Sequence, residues 1–229
     1  MNLPIFNYLT ELFFPRLCVV CGDKLIEQEQ WICLHCLHHI PRTNFHLEPD
    51  NRVAQIFYGR VKLEFATSFF YFSKGSKYQS LLHALKYKGM KELGAEIGKH
   101  FGIDLMQSPD FLSVDVICPV PLHPQKEKKR GYNQSWWVAS GIALQMQKEL
   151  SDDNLKRVTA TETQTRKSRF ERWQNVEGIF ELSHPDAFAG KHILLIDDVV
   201  TTGATLEACA QTILSQTDAR VSIATLGTA

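Results

Sequence analysis

Asp197 and Asp198 stand side by side behind the apolar run Ile193-Leu194-Leu195-Ile196 in this 229-residue sequence. Neighbouring carboxylates can accept charge-assisted hydrogen bonds from two adjacent sugar hydroxyls. The segment that follows, Thr201-Thr202-Gly203-Ala204-Thr205, is small and hydroxyl-rich and opens a predicted helix. Backbone N–H groups at a helix start, together with the positive end of the helix dipole, form an anion site. The combination describes a pocket for a ribose bearing a 5′-phosphate. Asp-Asp alone would read as a helix cap and Gly203 alone as a turn; the full string carries the reading.

A second constellation is Cys18-x2-Cys21-x11-Cys33-x2-Cys36. Each pair can present two thiolates from a tight turn, and two such turns complete a tetrahedral Zn²⁺ site. Four sulfurs leave no open coordination position, so this zinc would be structural rather than catalytic. Disulfides fit less well without a secretory signal, and redox Cys-x-x-Cys pairs usually occur singly. His35, His38 and His39 lie nearby but are not needed as ligands. Residues 1–50 carry three basic side chains against six acidic ones, which suits docking better than gripping phosphates. Cys118 and Cys209 stand alone in apolar surroundings and read as buried, inert thiols.

Two further segments supply positive charge. In 118–143, Pro119 and Pro121 stiffen the exit from an apolar strand, and Lys126, Lys128, Lys129 and Arg130 precede Gly131. An exposed basic loop is the usual fate of such a run, and a pyrophosphate-contacting loop is its functional reading. Trp136 and Trp137 follow at helical positions and read as packing residues. The stretch 157–182 is polar and basic, either a loop able to close over an anionic substrate or a solvated surface loop. Residues 123–172 hold eleven basic and six acidic side chains in a chain whose Lys+Arg and Asp+Glu both total 25. That local excess suits a phosphate ligand or single-stranded DNA, while neutrality overall argues against binding nucleic acid by bulk electrostatics.

The elements that must position these groups alternate. Strands are expected at 64–72, 114–120, 192–197 and 221–226. Helices are expected over 77–100 with a break at Gly89, over 133–150 with Asn133 as N-cap, and over 205–215. Alternation of this kind predicts an α/β fold: a parallel sheet flanked by helices, with ligands at the carboxyl ends of its strands. The opening segment has no basic residue before its apolar part and carries Glu11, so it reads as an amphipathic helix and not a signal peptide. No run reaches the length of a membrane span, and a cytoplasmic protein is expected. The expected division is an N-terminal helix and zinc module over 1–46 and a catalytic-type domain over 47–229.

Positions 193–205 resemble the phosphoribosyl-pyrophosphate (PRPP) signature of the type I phosphoribosyltransferases, which implies that fold. By this resemblance Asp197 and Asp198 hold the ribose 2′- and 3′-hydroxyls, and Thr201, Thr202, Gly203, Ala204 and Thr205 cradle the 5′-phosphate. The order of the paired Cys-x-x-Cys motifs, LKYKG (85–89), PVPLHP (119–124), RGYNQ (130–134), Gln164 with Arg169, NVEGIF (175–180) and LLIDDVVTTGAT (194–205) is similar to the ComF family. That resemblance covers nearly the whole chain and implies an N-terminal zinc finger and a link to uptake or processing of single-stranded DNA. It makes Lys86, Arg130, Gln164 and Arg169 candidates for phosphate or pyrophosphate contacts, with Gly131 beside them. Enzymes acting on 6-oxopurines carry Asp where this chain has Thr201, which counts against hypoxanthine or guanine as acceptor.

Two main functions follow. The first is Mg²⁺-dependent displacement of pyrophosphate from C1 of PRPP by a nitrogen nucleophile, with Asp197, Asp198 and Arg169 as the catalytic candidates. The second is a non-catalytic adaptor that senses PRPP or a nucleotide and acts through single-stranded DNA or proteins of the DNA-uptake machinery. Direct binding of single-stranded DNA along the basic segments is a weaker third. The acceptor and the oligomeric state are not written in the sequence.

Overall fold

Buried apolar runs alternating with helices produce a five-stranded parallel sheet in this computed structural model, which describes residues 15–73, 75–158 and 179–228. Its strands are β1 (Ala66–Tyr71), β2 (Val116–Pro119), β3 (Glu149–Leu150), β6 (His192–Val200) and β7 (Arg220–Thr228), in the spatial order β1-β7-β6-β2-β3. β4 (Leu155–Arg157) and β5 (Phe180–Leu182) form a separate antiparallel ribbon. The sheet is buried on both faces, as a parallel sheet requires. Along β6, Leu194 and Ile196 enter one apolar cluster while Ile193 and Leu195 enter the other.

The first cluster lies under α3 (Gln79–Tyr87), α4 (Lys91–Leu105) and α7 (Gln134–Met146). The second lies under α2 (Arg52–Gln55) and α8 (Ala204–Gln216). Shorter helices complete the set: α1 (Leu34–His38), α5 (Pro109–Leu112) and α6 (Pro124–Arg130). Among the described residues no helix is long and apolar enough to cross a membrane.

Several expectations needed correction. The expected break at Gly89 is present, its φ of +68° ending the first helix, but the second helix runs past the expected end at 100 to Leu105. The basic segment expected as a loop is the helix α6, begun by Pro124 at N1 and capped by the His123 side chain. Gly131 ends it in the left-handed region at φ 82°, so that glycine is explained by helix termination and not by ligand approach. The two ends of 157–182 belong to the β4–β5 ribbon, and its interior, like the expected N-terminal helix, lies outside the described residues.

The four-cysteine segment shares the first core. Cys18, Val20, Leu25, Cys33, Cys36 and Ile40 pack in the same cluster as Phe69, Phe70, Tyr78 and Leu81. Backbone bonds from Thr43 N to Phe69 O (3.1 Å) and from Tyr71 N to Pro41 O (2.9 Å) join residues 41–43 to β1. Tyr78, at the start of α3, donates its hydroxyl to the Cys36 carbonyl at 3.1 Å.

α4 and α7 meet along small residues. A Cβ on Gly98 would stand 2.3 Å from the Val138 carbonyl oxygen, and one on Gly141 would stand 2.0 Å from that of Ala95. Both obstacles are backbone, so neither can rotate away. Gly141→Ala should therefore force the helices apart and destabilise the chain by about 1–3 kcal/mol. Thermal melting against an exposed control such as Leu144→Ala is the check, and an unchanged Tm would contradict this packing.

Candidate functional site

The carboxyl ends of β2 and β6 form the crevice where ligands of such sheets are held. After β6 the chain crosses through α8 to β7 on one side, and after β2 it crosses through α7 to β3 on the other. β2 pairs with β6 only as far as Pro119 opposite Ile196, and the chain turns away through Pro121. β6 continues beside β7 to Val200. Asp197 and Asp198 therefore lie on the part of β6 that β2 has abandoned, which opens the crevice at the carboxylates. Strand β6 is three residues longer than expected for the same reason: β7 supplies pairing to Thr228.

Asp197 accepts hydrogen bonds from Ser135 Oγ at 2.9 Å and from the backbone N–H of Asp198 at 2.8 Å. Burial, with the adjacent Asp198 charge as a second cause, pushes its carboxyl up from 3.8 to about 7; the two hydrogen bonds and Lys86 oppose that rise. Lys86 Nζ lies 3.0 Å from Asp198 Oδ2. The lysine is placed by the last turn of α3, and Tyr132 steadies that turn by donating to the Leu85 carbonyl at 2.5 Å. Ser135 is placed by the first turn of α7, where Asn133 caps Ser135 N and also donates to the Val120 carbonyl at 3.0 Å.

The loop behind the carboxylates forms a hollow of about 60 Å³ lined by Asp197, Val199, Val200 and residues 201–206. Gly203 is the N-cap of α8 at φ 73°, and a Cβ there would stand 2.8 Å from both Ile56 and Phe57. Thr201, Thr202, Ala204 and Thr205 are exposed. Arg60 fastens this loop from behind: its Nη1 donates to the carbonyls of Thr202 (2.8 Å) and Ile56 (3.0 Å), and its Nε to Glu207 at 3.0 Å. Turning the Thr202 carbonyl toward Arg60 and pairing the Glu207 charge both favour an anion at the start of α8.

Lys86 also lines a cleft of about 350 Å³ with Tyr87, Gly89, Lys126, Lys129 and Arg130. Arg130 donates to Gln134 Oε1 at 2.6 Å and stands 5.7 Å from the Tyr87 ring centre. Lys86 and Arg130 are thus brought together as expected, whereas Lys128 does not line this cleft and Gly131 lines a neighbouring one. Gln164 and Arg169 lie outside the described residues. Arg60 and Ser135 escaped the sequence reading. Each acts on a residue 142 or 62 positions away, and neither sits in a motif.

Cys18, Cys21, Cys33 and Cys36 present sulfurs within 4.8 Å of one another. Four sulfurs about 2.3 Å from a central Zn²⁺ would stand roughly 3.8 Å apart. The 3.7 Å between the sulfurs of Cys21 and Cys33 matches that edge. Backbone N–H groups of Cys33 and Cys36 point at the sulfurs of Cys18 and Cys33, each at 3.4 Å, as suits thiolate acceptors. The donor set therefore fits a structural metal ion, and the histidines are not part of it. Cys118 and Cys209 are buried, and burial raises both thiols, Cys118 to about 12.

Two outcomes follow. Asp197 holds its proton more tightly folded than unfolded, so it contributes stability that is present below pH 3.8 and lost as pH rises toward about 7. Asp197→Asn removes this loss, and its gain in Tm over the wild type should grow from pH 4 to 7 and level off above. A constant difference across that range in melting experiments would refute the burial of this charge. Cys33→Ser should lower bound zinc and loosen the segment around it, because structural metal binding contributes folding free energy. Metal analysis of the purified variant is the check, and full zinc content would exclude the four-sulfur site.

The "Phosphoribosyl transferase domain" family matches residues 134–228. "DNA utilization protein YhgH" of Escherichia coli K12 is 26% identical over 210 residues, covering 90% of this chain and 88% of that protein. "Competence protein F" of Haemophilus influenzae is 36% identical over 93 residues, or 40% of this chain and 41% of its own. "Competence protein ComFC" of Bacillus subtilis is 35% identical over 101 residues, or 44% of this chain and 39% of that one. The chain is thus similar to these proteins and built on a type I phosphoribosyltransferase-like sheet, which supports its resemblance to the ComF family.

Proposed function

We propose that the crevice binds PRPP with Mg²⁺ and that the chain is a phosphoribosyltransferase-like protein serving DNA uptake or utilization, in keeping with the words competence and DNA utilization in its relatives' names. One observation carries this reading. The Asp197–Asp198 pair, the hollow of residues 201–206 and the cation Lys86 adjoin in a single crevice at the sheet's switch point. In it Asp197 and Asp198 accept hydrogen bonds from the ribose hydroxyls, and the loop N–H groups and threonine hydroxyls hold the 5′-phosphate. Lys86 and Arg130 face the pyrophosphate, with Lys126 and Lys129 adding charge from the same cleft. Gln164 and Arg169 are included in the proposal as phosphate-contact candidates on the family resemblance alone.

Mg²⁺, when bound, supplies charge neutralisation of the pyrophosphate, and the carboxylates offer it hard oxygen donors. A nitrogen acceptor would form its bond to C1 as the C1–O bond breaks and the electron pair leaves with pyrophosphate. The site's residues contribute by positioning and by electrostatic stabilisation of that departure, and no covalent nucleophile is needed. Lys86 already paired with Asp198 means that the lysine is exchanged from the carboxylate to the ligand when PRPP enters.

The adaptor reading is favoured by the contact between Tyr78 and Cys36. It ties the four-cysteine segment to the helix that carries Lys86, so ligand at the crevice and a partner at that segment bear on one element.

Calorimetric titration with Mg²⁺ and PRPP tests the proposal. Wild type should bind, and Asp198→Asn should weaken binding by about tenfold or more, the loss of charge-assisted hydrogen bonds. Absence of binding by folded, zinc-loaded wild type would end the reading. Binding without pyrophosphate release, over a panel of nitrogen acceptors, would select the adaptor.

A further inference from the structure

Arg60 does not line the hollow of residues 201–206, yet three of its nitrogens hold the loop that forms it. Nη1 donates to the carbonyls of Thr202 and Ile56, and Nε and Nη2 both donate to Glu207 Oε2. A planar fork of fixed donors lets one side chain take two carbonyls and a carboxylate together, which a lysine ammonium cannot reproduce. Gln211 braces the arrangement, its Nε2 standing 3.4 Å from both the Arg60 carbonyl and Glu207 Oε1. The stretch that carries Arg60 also touches the next residue of the loop, because Ile56 and Phe57 are the side chains that a Cβ on Gly203 would strike. Residues 56–60 therefore grip the Thr202–Gly203 peptide from both ends.

The direction of that one peptide decides which charge the hollow accepts. In a trans peptide the C=O and the N–H point opposite ways. With the Thr202 oxygen drawn to Arg60, the Gly203 N–H points away from it. Turned over, the same peptide would offer a carbonyl oxygen where the N–H had been, and an oxygen repels an anion. The turn itself does not choose between the two. Gly203 has φ 73° and ψ −2°, as at the third residue of a type II turn, and the type I turn differs there mainly in a φ of about −90°. Reversing the peptide interconverts the two forms, and glycine accepts either sign of φ. The choice therefore falls to a group outside the turn.

We propose that Arg60 is a positioning residue: it fixes the Thr202–Gly203 peptide with its N–H toward the hollow and so makes the loop a phosphomonoester site. The phosphate as occupant rests on the function proposed above; the orientation of the peptide does not. Glu207 completes the device. It lies in the first turn of α8, where an unpaired negative charge would oppose an anion at the helix start, and it aims the guanidinium at the loop.

The test titrates the full, zinc-loaded chain with ribose 5-phosphate, which probes the hollow, and with Mg²⁺ and pyrophosphate, which probe the cleft of Lys86 and Arg130. Arg60→Gln should weaken ribose 5-phosphate by about tenfold or more and leave pyrophosphate within about twofold of wild type. Arg60→Lys should fall between the two. Combining Arg60→Gln with Glu207→Gln removes the unpaired charge but not the freedom of the peptide, so binding should stay at least about fivefold weaker than wild type. The Gly203 N–H resonance, followed by NMR, should move downfield when ribose 5-phosphate saturates the wild type and not when it saturates Arg60→Gln. Full affinity in the double variant would reduce Arg60 to a neutraliser of Glu207 and overturn the proposal. An equal loss of pyrophosphate binding in Arg60→Gln, or an unchanged Gly203 shift, would overturn it too. Wild type that binds neither ribose 5-phosphate nor PRPP would end the proposed function and this role together, whereas wild-type binding beside an unaffected double variant would end the role of Arg60 alone.

Discussion

Two adjacent carboxylates at the mouth of a buried sheet repel each other, and this constraint organises what surrounds them. Burial raises the free energy of the charged form, and proximity raises it again. The compensation comes from separate parts of the chain: Ser135 from the start of α7, the Asp198 backbone, and Lys86 from the end of α3. None of these is local in sequence except the backbone group. Holding the pair therefore depends on α3 and α7 being correctly seated, and their seating depends on α4, which packs against α7 through glycines. Such a pair works against stability, and under the proposed function its two acceptors would answer two neighbouring hydroxyls of a polyol ligand.

The same logic explains the loop. A turn rich in small hydroxyl residues would be pliable by itself, yet Gly203 is pressed against Ile56 and Phe57 and Arg60 grips the Thr202 carbonyl. The loop thus borrows rigidity from the segment that follows α2. Preset N–H groups lose little freedom when an anion arrives, so affinity is not diminished by ordering.

How much of this was legible in the sequence depended on range. β6, the Asp-Asp step, the hydroxyl loop, the break at Gly89 and the Asn133 cap are encoded by neighbours, and local pattern was enough to place them. The four cysteines were legible because thiolate chemistry restricts spacing. α6 was missed because its charge resembles a loop, although Pro124 and Gly131 bracket it with ordinary start and stop signals. Arg60 and Ser135 could not be read, since each works through a partner that only the fold brings near. The extra length of β6 is likewise a property of β7 and not of its own residues.

The pairing of residues 41–43 with β1 bears on how the protein behaves in a crowded solution. β1 is an edge of the sheet, and an unpaired edge is a template for strands of other molecules. At the opposite edge β3 is only two residues long, too short to recruit a partner. At β1 the backbone that leaves the four-cysteine segment takes the open positions beside Phe69 and Tyr71. The metal-type module thereby acts as a guard against intermolecular strand addition. Loss of its fold would uncover a long apolar edge, so failure there would be expressed as aggregation before it was expressed as unfolding of the sheet.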